Sequence, residues 1–395
     1  MTEIAERLEE LRDSGLHRRL RLVSGPQGPH VTLDGRPVLL LCSNNYLGLA
    51  DHPRVRSATA EAAMRWGTGA GASRLISGNM QPHRRLEERL AEFKGYEAAL
   101  LFGSGYLANT GTIAALAGRG EAIFSDELNH ASIIDGCRLS RAETFVYRHG
   151  DVEHLAWGLR EAGGRASLIV TDGVFSMDGD VAPLEDLARL ARSHKCRLMV
   201  DEAHATGALG PGGRGSVAAA GLSGEVDVVM GTLGKALGSY GAYVCASREL
   251  TEYLVNIARP FVFSTAPPPT VVAASLAALE LLESHPHRVE RLGANAATLR
   301  SALAAEGLSV GDSATQIVPV AVGDAGTTME LCERVLERGV FAQGIRPPTV
   351  PEGSSRLRFT VMATHRAGEL ERAAKLVGAA AREVGIAAEP AAAAA

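Results

Sequence analysis

Between residues 98 and 246 the chain returns repeatedly to short, almost unbroken apolar runs. Ala98–Phe102, Ala122–Phe124, Thr144–Tyr147, Leu168–Thr171, Arg197–Val200, Val226–Met230 and Ala242–Cys245 are short for helices, and several lack the alternation of a half-exposed strand. Helical stretches such as Leu184–Ser193 lie between them. Strands that are apolar on both sides and separated by helices predict a mostly parallel sheet covered on both faces. Ligands are then expected at the carboxyl ends of the strands. The fold class is α/β. At 395 residues the chain is long for a single small core, so an appended lobe is expected.

Two of these runs end in chemically capable residues. One continues as Asp201-Glu202-Ala203-His204, the other as Gly231-Thr232-Leu233-Gly234-Lys235. Small residues around a lysine at a strand end let it approach a flat cofactor without steric conflict. An amine for a Schiff base, an acid to keep a pyridine nitrogen protonated and a neighbouring histidine are what pyridoxal phosphate (PLP) requires. Taken singly, Lys235 reads as a solvated turn residue and Asp201 as a cap. Their order in an alternating chain favours PLP.

Other motifs bear on the same reading. Phe102-Gly103-Ser104-Gly105-Tyr106-Leu107-Ala108 matches G-x-G-x-x-A, with Asp126 past the next strand. Alone this is a dinucleotide fingerprint. A strand–glycine–helix junction binds any phosphate, however, and Gly105 and Tyr106 would serve the phosphate of PLP equally well. The run Gly67–Ser73 follows a helix-like stretch and reads as an irregular loop near an active site or a subunit contact. His130 lies past a strand, where it could lie flat against a pyridine ring or simply cap a helix. Ser176 follows another strand and could donate to the cofactor. No histidine, cysteine or carboxylate pair has a convincing third metal ligand, and no G-x-S-x-G elbow is present.

A net charge of −5 and only 5 % aromatic residues argue against nucleic-acid and anionic-membrane partners. No apolar run reaches the ~18 residues of a membrane span. Cys42, Cys137, Cys196, Cys245 and Cys332 form no CxxC pair, which fits free thiols in a reducing, cytoplasmic setting. Residues 1 to about 22 read as a helix with Leu8, Leu11, Leu16 and Leu20 on one side, closed by the basic run His17-Arg18-Arg19-Leu20-Arg21. A hairpin with an Asp34-Gly35 turn follows. The expected organisation is an N-terminal segment (1–49), a large α/β domain (50–269) and a small α+β domain (270–390). Ala391–Ala395 is low in complexity and expected to fray.

With these pieces assembled, the chain resembles the α-oxoamine synthases, a branch of the fold-type I PLP enzymes. The likeness runs from Ser43-Asn44-Asn45-Tyr46-Leu47-Gly48-Leu49 to Arg356-Leu357-Arg358. Its most specific segments are Gly173-Val174-Phe175-Ser176-Met177-Asp178-Gly179, Asp201–His204 and Thr232–Lys235. The resemblance implies an aspartate-aminotransferase-like fold, with a large mostly parallel sheet domain and a smaller α+β C-terminal domain. It also implies a homodimer with shared active sites. Lys235 would hold PLP, Asp201 would pair with the pyridinium nitrogen, and His204 would hydrogen-bond the ring hydroxyl. His130 would stack on the ring, and Ser176 would contact the cofactor or His204. Gly105, Tyr106 and Thr232 would meet the phosphate, joined by Thr265 from a partner subunit. Asn44 and Arg358 would grip the amino-acid carboxylate, Arg18 would face the acyl substrate, and Thr349 would lie near it.

Ile345-Arg346-Pro347-Pro348-Thr349-Val350-Pro351 looks like the biotin-pathway branch, which condenses L-alanine with a pimeloyl thioester and releases CO2. Whether coenzyme A or acyl carrier protein carries the acyl group stays open. Sister enzymes that use glycine are the nearest alternative. A NAD-dependent oxidoreductase built on Gly103–Ala108 is more distant and leaves Lys235 without a role. A non-catalytic partner subunit should have lost Lys235, Asp201 and His204.

Overall fold

The computed structural model describes residues 2–386. They form two compact units. The larger comprises Asn45–Ser176 and Asp180–Glu290. The smaller comprises the described chain up to Asn44, the segment Met177–Gly179 and the described chain from Arg291. The low-complexity Ala391–Ala395 lies outside the described residues.

The larger unit is built on a seven-stranded sheet, in the order Ala98–Phe102, Ala242–Ala246, Val228–Thr232, Arg197–Asp201, Ala166–Asp172, Ala122–Asp126 and Glu143–Tyr147. Only Ala242–Ala246 runs against its neighbours; the other pairings are parallel. Side-chain alternation explains the unbroken apolar runs. Leu168, Val170, Met199 and Val228 enter the core on one face, and Ile169, Leu198, Val200 and Val229 enter the core on the other. Helix Leu184–His194 covers the second face with Leu184, Leu187, Ala188 and Ala191.

The strands run one to two residues further than their apolar stretches, to Asp126, Asp172, Asp201 and Thr232. The ladder hydrogen bonds continue past the last apolar side chain, so the polar end residues belong to the strands. Asp172 and Asp201 are direct register partners. At the other end, Val226 and Asp227 fall outside the sheet. The Val226 carbonyl accepts from the Tyr96 hydroxyl, and the Asp227 carboxylate accepts from Leu198 N–H at 2.8 Å.

The expected boundary at 269/270 does not match the contacts. Helix Pro269–Ser284 packs on helices Pro53–Trp66 and Gln81–Lys94 and belongs to the larger unit. It is apolar around most of its circumference, with Val272, Ala278, Leu279, Leu281 and Leu282 buried, as a helix enclosed by neighbours must be.

The smaller unit holds a three-stranded antiparallel sheet, ordered Ile317–Gly323, Ser355–Thr360, Gln343–Ile345. A second sheet contains the expected hairpin, His30–Leu33 paired with Arg36–Leu40. Asp34 (φ 47°) and Gly35 (φ 82°) are both left-handed, the two-residue turn that matches strand twist and that Asp-Gly tolerates.

The N-terminal helix is shorter than its leucine stripe suggests. It spans Glu3–Asp13, buries no residue, and stops at Ser14 and Gly15 (φ 67°). Leu16, Leu20 and the basic run therefore lie beyond it. The run is held by acid instead: Arg21 pairs with Glu333 and approaches Asp34 at 3.6 Å. Among the described residues no helix is long and apolar enough to cross a membrane.

One clamp in the larger unit gives a pH-dependent prediction. His149 bridges Asp126 (3.0 Å) and Asp180 (2.8 Å), with its ring edge-on to Phe175. Hydrogen bonds to Asp126 and then Asp180 raise its pKa from 6.5 to about 10. A raised folded-state value means the contribution is complete below the unfolded value and is lost as pH climbs through the folded one. The urea midpoint of the wild-type chain should therefore fall between about pH 6.5 and about 10 more steeply than that of His149→Gln. Parallel pH profiles would contradict the clamp.

Candidate active site

The parallel strands deliver their polar end residues to one edge of the sheet, where they line a cavity of about 190 Å³. Strand Arg197–Asp201 supplies Asp201 and, through the turn after it, His204. Strand Val228–Thr232 supplies Thr232 and, past it, Lys235. Strands Ala122–Asp126 and Ala166–Asp172 lead to His130 and Asp172. Gly105 and Tyr106 open helix Gly105–Leu116, capped by the Ser104 side chain. Their position places helix N-terminal N–H groups at the cavity, a setting suited to an anion.

Lys235 Nζ lies 2.8 Å from His204 Nε2, and the other imidazole nitrogen lies 2.7 Å from the Tyr46 hydroxyl. Asp201 accepts two hydrogen bonds, from Asn109 Nδ2 (2.7 Å) and from Ala203 N–H (2.8 Å). The second Asn109 N–H goes to Ser132 Oγ at 2.8 Å. Ser132 N–H donates to His130 Nδ1, which makes that nitrogen the acceptor and leaves the Nε2 side to carry the proton. His130 N–H donates to Asp172 Oδ2 at 2.7 Å.

Burial holds the His130 imidazole below its ordinary pKa, against the opposing pull of Asp201, with Lys235 adding to the lowering. Burial, then the neighbouring Asp201, pushes the Asp172 carboxyl well above the carboxylate range. Such opposed perturbations in one cleft mark it as a site for chemistry.

The donor set fits PLP. The cavity offers an amine for the aldehyde, a twice-bonded carboxylate for the ring nitrogen and a helix N-terminus for the phosphate. Ser176 and Thr265 are not among its lining residues. Thr265 is exposed, and its backbone bridges to Ser73 at the end of the Gly67–Ser73 loop.

The smaller unit carries its own cavity of about 630 Å³, and both Arg18 and Thr349 line it, with Arg19, Arg21 and Arg346. Arg346 donates to the His17 carbonyl at 3.1 Å, tying the basic run to the Arg-Pro-Pro segment. Asn44 ends the first stretch of this unit, and Arg358 is a buried residue of strand Ser355–Thr360.

Four residues escaped the sequence reading as site members: Tyr46, Asn109, Ser132 and Asp172. Asn109 had a usable signal, lying one helical turn past Gly105 and on the same face. Tyr46 had none beyond its place in the Ser43–Leu49 segment.

The chain matches the model of the family "Aminotransferase class I and II" over residues 36–377, and it belongs to that family. It is 56 % identical over 389 residues to the 8-amino-7-oxononanoate synthase of Citrifermentans bemidjiense, covering 98 % of this chain and 100 % of that one. Among solved structures it is similar to SPT with its PLP internal aldimine (TM-score 0.92, 34 % identity, 98 % of each chain). It is also similar to 8-amino-7-oxononanoate synthase from Francisella tularensis (TM-score 0.77, 28 % identity, 88 % of this chain and 98 % of that one). These likenesses bear out the resemblance to the α-oxoamine synthases and the fold-type I architecture.

Proposed function

We propose that this chain condenses L-alanine with a pimeloyl thioester to give 8-amino-7-oxononanoate, CO2 and the free carrier thiol, a step of biotin biosynthesis. The observation that carries this reading is the convergence of Lys235, His204, Asp201 and the Gly105 helix N-terminus on one cavity, in a chain so similar to synthases of that name. When bound, PLP supplies an aldehyde for amines and a protonated ring that accepts electrons from the amino-acid α-carbon. Lys235 holds the cofactor, and its Nζ takes the α-proton of alanine as general base. His204, steadied by Tyr46, keeps Nζ in place. Asp201, fixed by Asn109 and Ala203, holds the proton on the ring nitrogen. His130 presents a neutral imidazole, its proton on Nε2, to the cofactor ring and substrate.

Gly105, Tyr106 and Thr232 receive the phosphate, Ser176 contacts the cofactor or His204, and Asn44 and Arg358 take the alanine carboxylate. A homodimer completes the site with Thr265 of the second copy. Thr265 is exposed, and so are Phe263 two residues before it and Leu75 and Ile76 just past its bridge partner Ser73, apolar side chains that a second copy would cover. The five cysteines are all free thiols, which supports a cytoplasmic setting. Either coenzyme A or acyl carrier protein serves as the acyl carrier.

The basic cavity with Arg18 and Thr349 takes the acyl substrate, whose far end bears a carboxylate or its ester. Arg18→Ala should raise KM for the pimeloyl thioester about tenfold or more, as loss of a charged hydrogen bond does, and leave KM for alanine unchanged. The reading itself is tested by titrating the PLP-loaded protein with amino acids while following visible absorbance. Saturable spectral change with L-alanine at lower concentration than with glycine supports it; a preference for glycine moves the substrate to the sister reaction.

A further inference from the structure

Behind the active-site cavity lies a buried ion pair that the reaction does not use directly. Glu202 is fully buried and Lys94 is 4 % exposed. Successive residues leaving a strand point to opposite faces, so Asp201 reaches the cavity while its neighbour Glu202 turns into the protein. Glu202 accepts from Lys94 Nζ, from Val217 N–H (2.7 Å) and from Ser216 Oγ (3.1 Å). Lys94 Nζ donates also to Thr206 Oγ1 (3.2 Å) and to the Arg214 carbonyl. Thr206 Oγ1 in turn meets the Tyr243 hydroxyl at 3.0 Å.

The surroundings are shaped for this network. A Cβ on Gly215 would lie 2.1 Å from the Glu202 carboxylate, one on Gly231 2.3 Å from the Tyr243 hydroxyl, and one on Gly173 2.4 Å from Ser216 Oγ. Glycines on separate segments thus vacate the space its polar groups occupy. The network grips both ends of the turn that carries His204: Glu202 before it and Thr206 after it. That turn is tight, with Ala205 and Thr206 N–H both bonded to the Glu202 carbonyl.

We infer that Lys94 and Glu202 are positioning residues for Asp201 and His204. Their pairing fixes the 201–206 turn, and so the distance from His204 to Lys235 and the reach of Asp201 into the cavity. A purely structural pair would matter for stability and leave the site's chemistry alone. The inference rests on the roles given above to Asp201, His204 and Lys235.

The test uses PLP-loaded Lys94→Met alongside the wild-type protein, with alanine kinetics, the visible absorbance spectrum and thermal denaturation. Loss of positioning predicts kcat lower by ~10-fold or more, KM for alanine within about twofold, and an altered cofactor band. Thr206→Val, which removes one hydroxyl from the network and nothing from the cavity, should change kcat and the band in the same direction by ~3-fold in rate. It decides the matter if Lys94→Met does not fold. A variant that folds with wild-type kcat and spectrum and differs only in melting temperature overturns the inference. If the wild-type protein itself shows no cofactor band, the underlying functional reading fails instead.

Discussion

Lys235→Ala should leave a folded protein with turnover reduced by ~10³-fold or more, because one substitution removes both the cofactor anchor and the general base proposed for the site. The fold has little reason to suffer. Lys235 lies past the end of its strand, half-buried at the cavity, and its ring-nitrogen neighbour His204 keeps the bond to Tyr46. The direct check is mass spectrometry after borohydride reduction. The wild-type chain should gain the mass of the cofactor, and the variant should not. An equally labelled variant would mean that another amine anchors PLP.

Asp201→Asn carries the second large effect. The substitution preserves shape and can still accept from Asn109 or Ala203, which hold the carboxylate at 2.7 and 2.8 Å. It removes the charge proposed to keep the pyridine nitrogen protonated. Loss of one preorganised electrostatic group that stabilises the transition state, here through the protonated ring, costs on the order of 10²–10³ in kcat. Cofactor binding should weaken far less, since Gly105 and Tyr106, the proposed phosphate cradle lining the same cavity, are untouched. A kcat within about threefold of wild type would remove Asp201 from its assigned role.

Much of this site was legible in the sequence because strand-end residues in a parallel sheet share one edge. Val200 and Met230 close the apolar runs of two such strands, so Asp201 and Lys235 are expected at the same edge of the sheet. The strands that lead to His130 and to the glycine junction at Gly105 each lie one strand further out than an immediate neighbour in the same sheet. The apolar pattern was less informative where side chains, not ladders, end an element. Val226 looked like strand because it is buried, yet Tyr96 and the Asp227 contact to Leu198 take its segment out of the sheet.

The N-terminal leucines misled for a related reason. Spacing alone continued the helix to Leu20, whereas Gly15 in a left-handed conformation ends it and the Arg21–Glu333 pair redirects the chain. Tyr46 reaches His204 over a long sequence separation, and although the position of Asn109 on the Gly105 helix face points to the site, its partner Asp201 also lies far away in sequence. Periodicity carries no record of such contacts. Asp172 poses a similar problem, because only the sheet register sets it beside Asp201.

The purified PLP-loaded protein should be supplied with L-alanine carrying a labelled carboxyl group and with pimeloyl-coenzyme A or pimeloyl acyl carrier protein. Released CO2 and free thiol should then be measured against the mass of the product. Labelled CO2, free thiol and 8-amino-7-oxononanoate are expected in equal amounts with at least one of the two carriers. Thiol release without labelled CO2, or turnover with glycine and none with alanine, would contradict it.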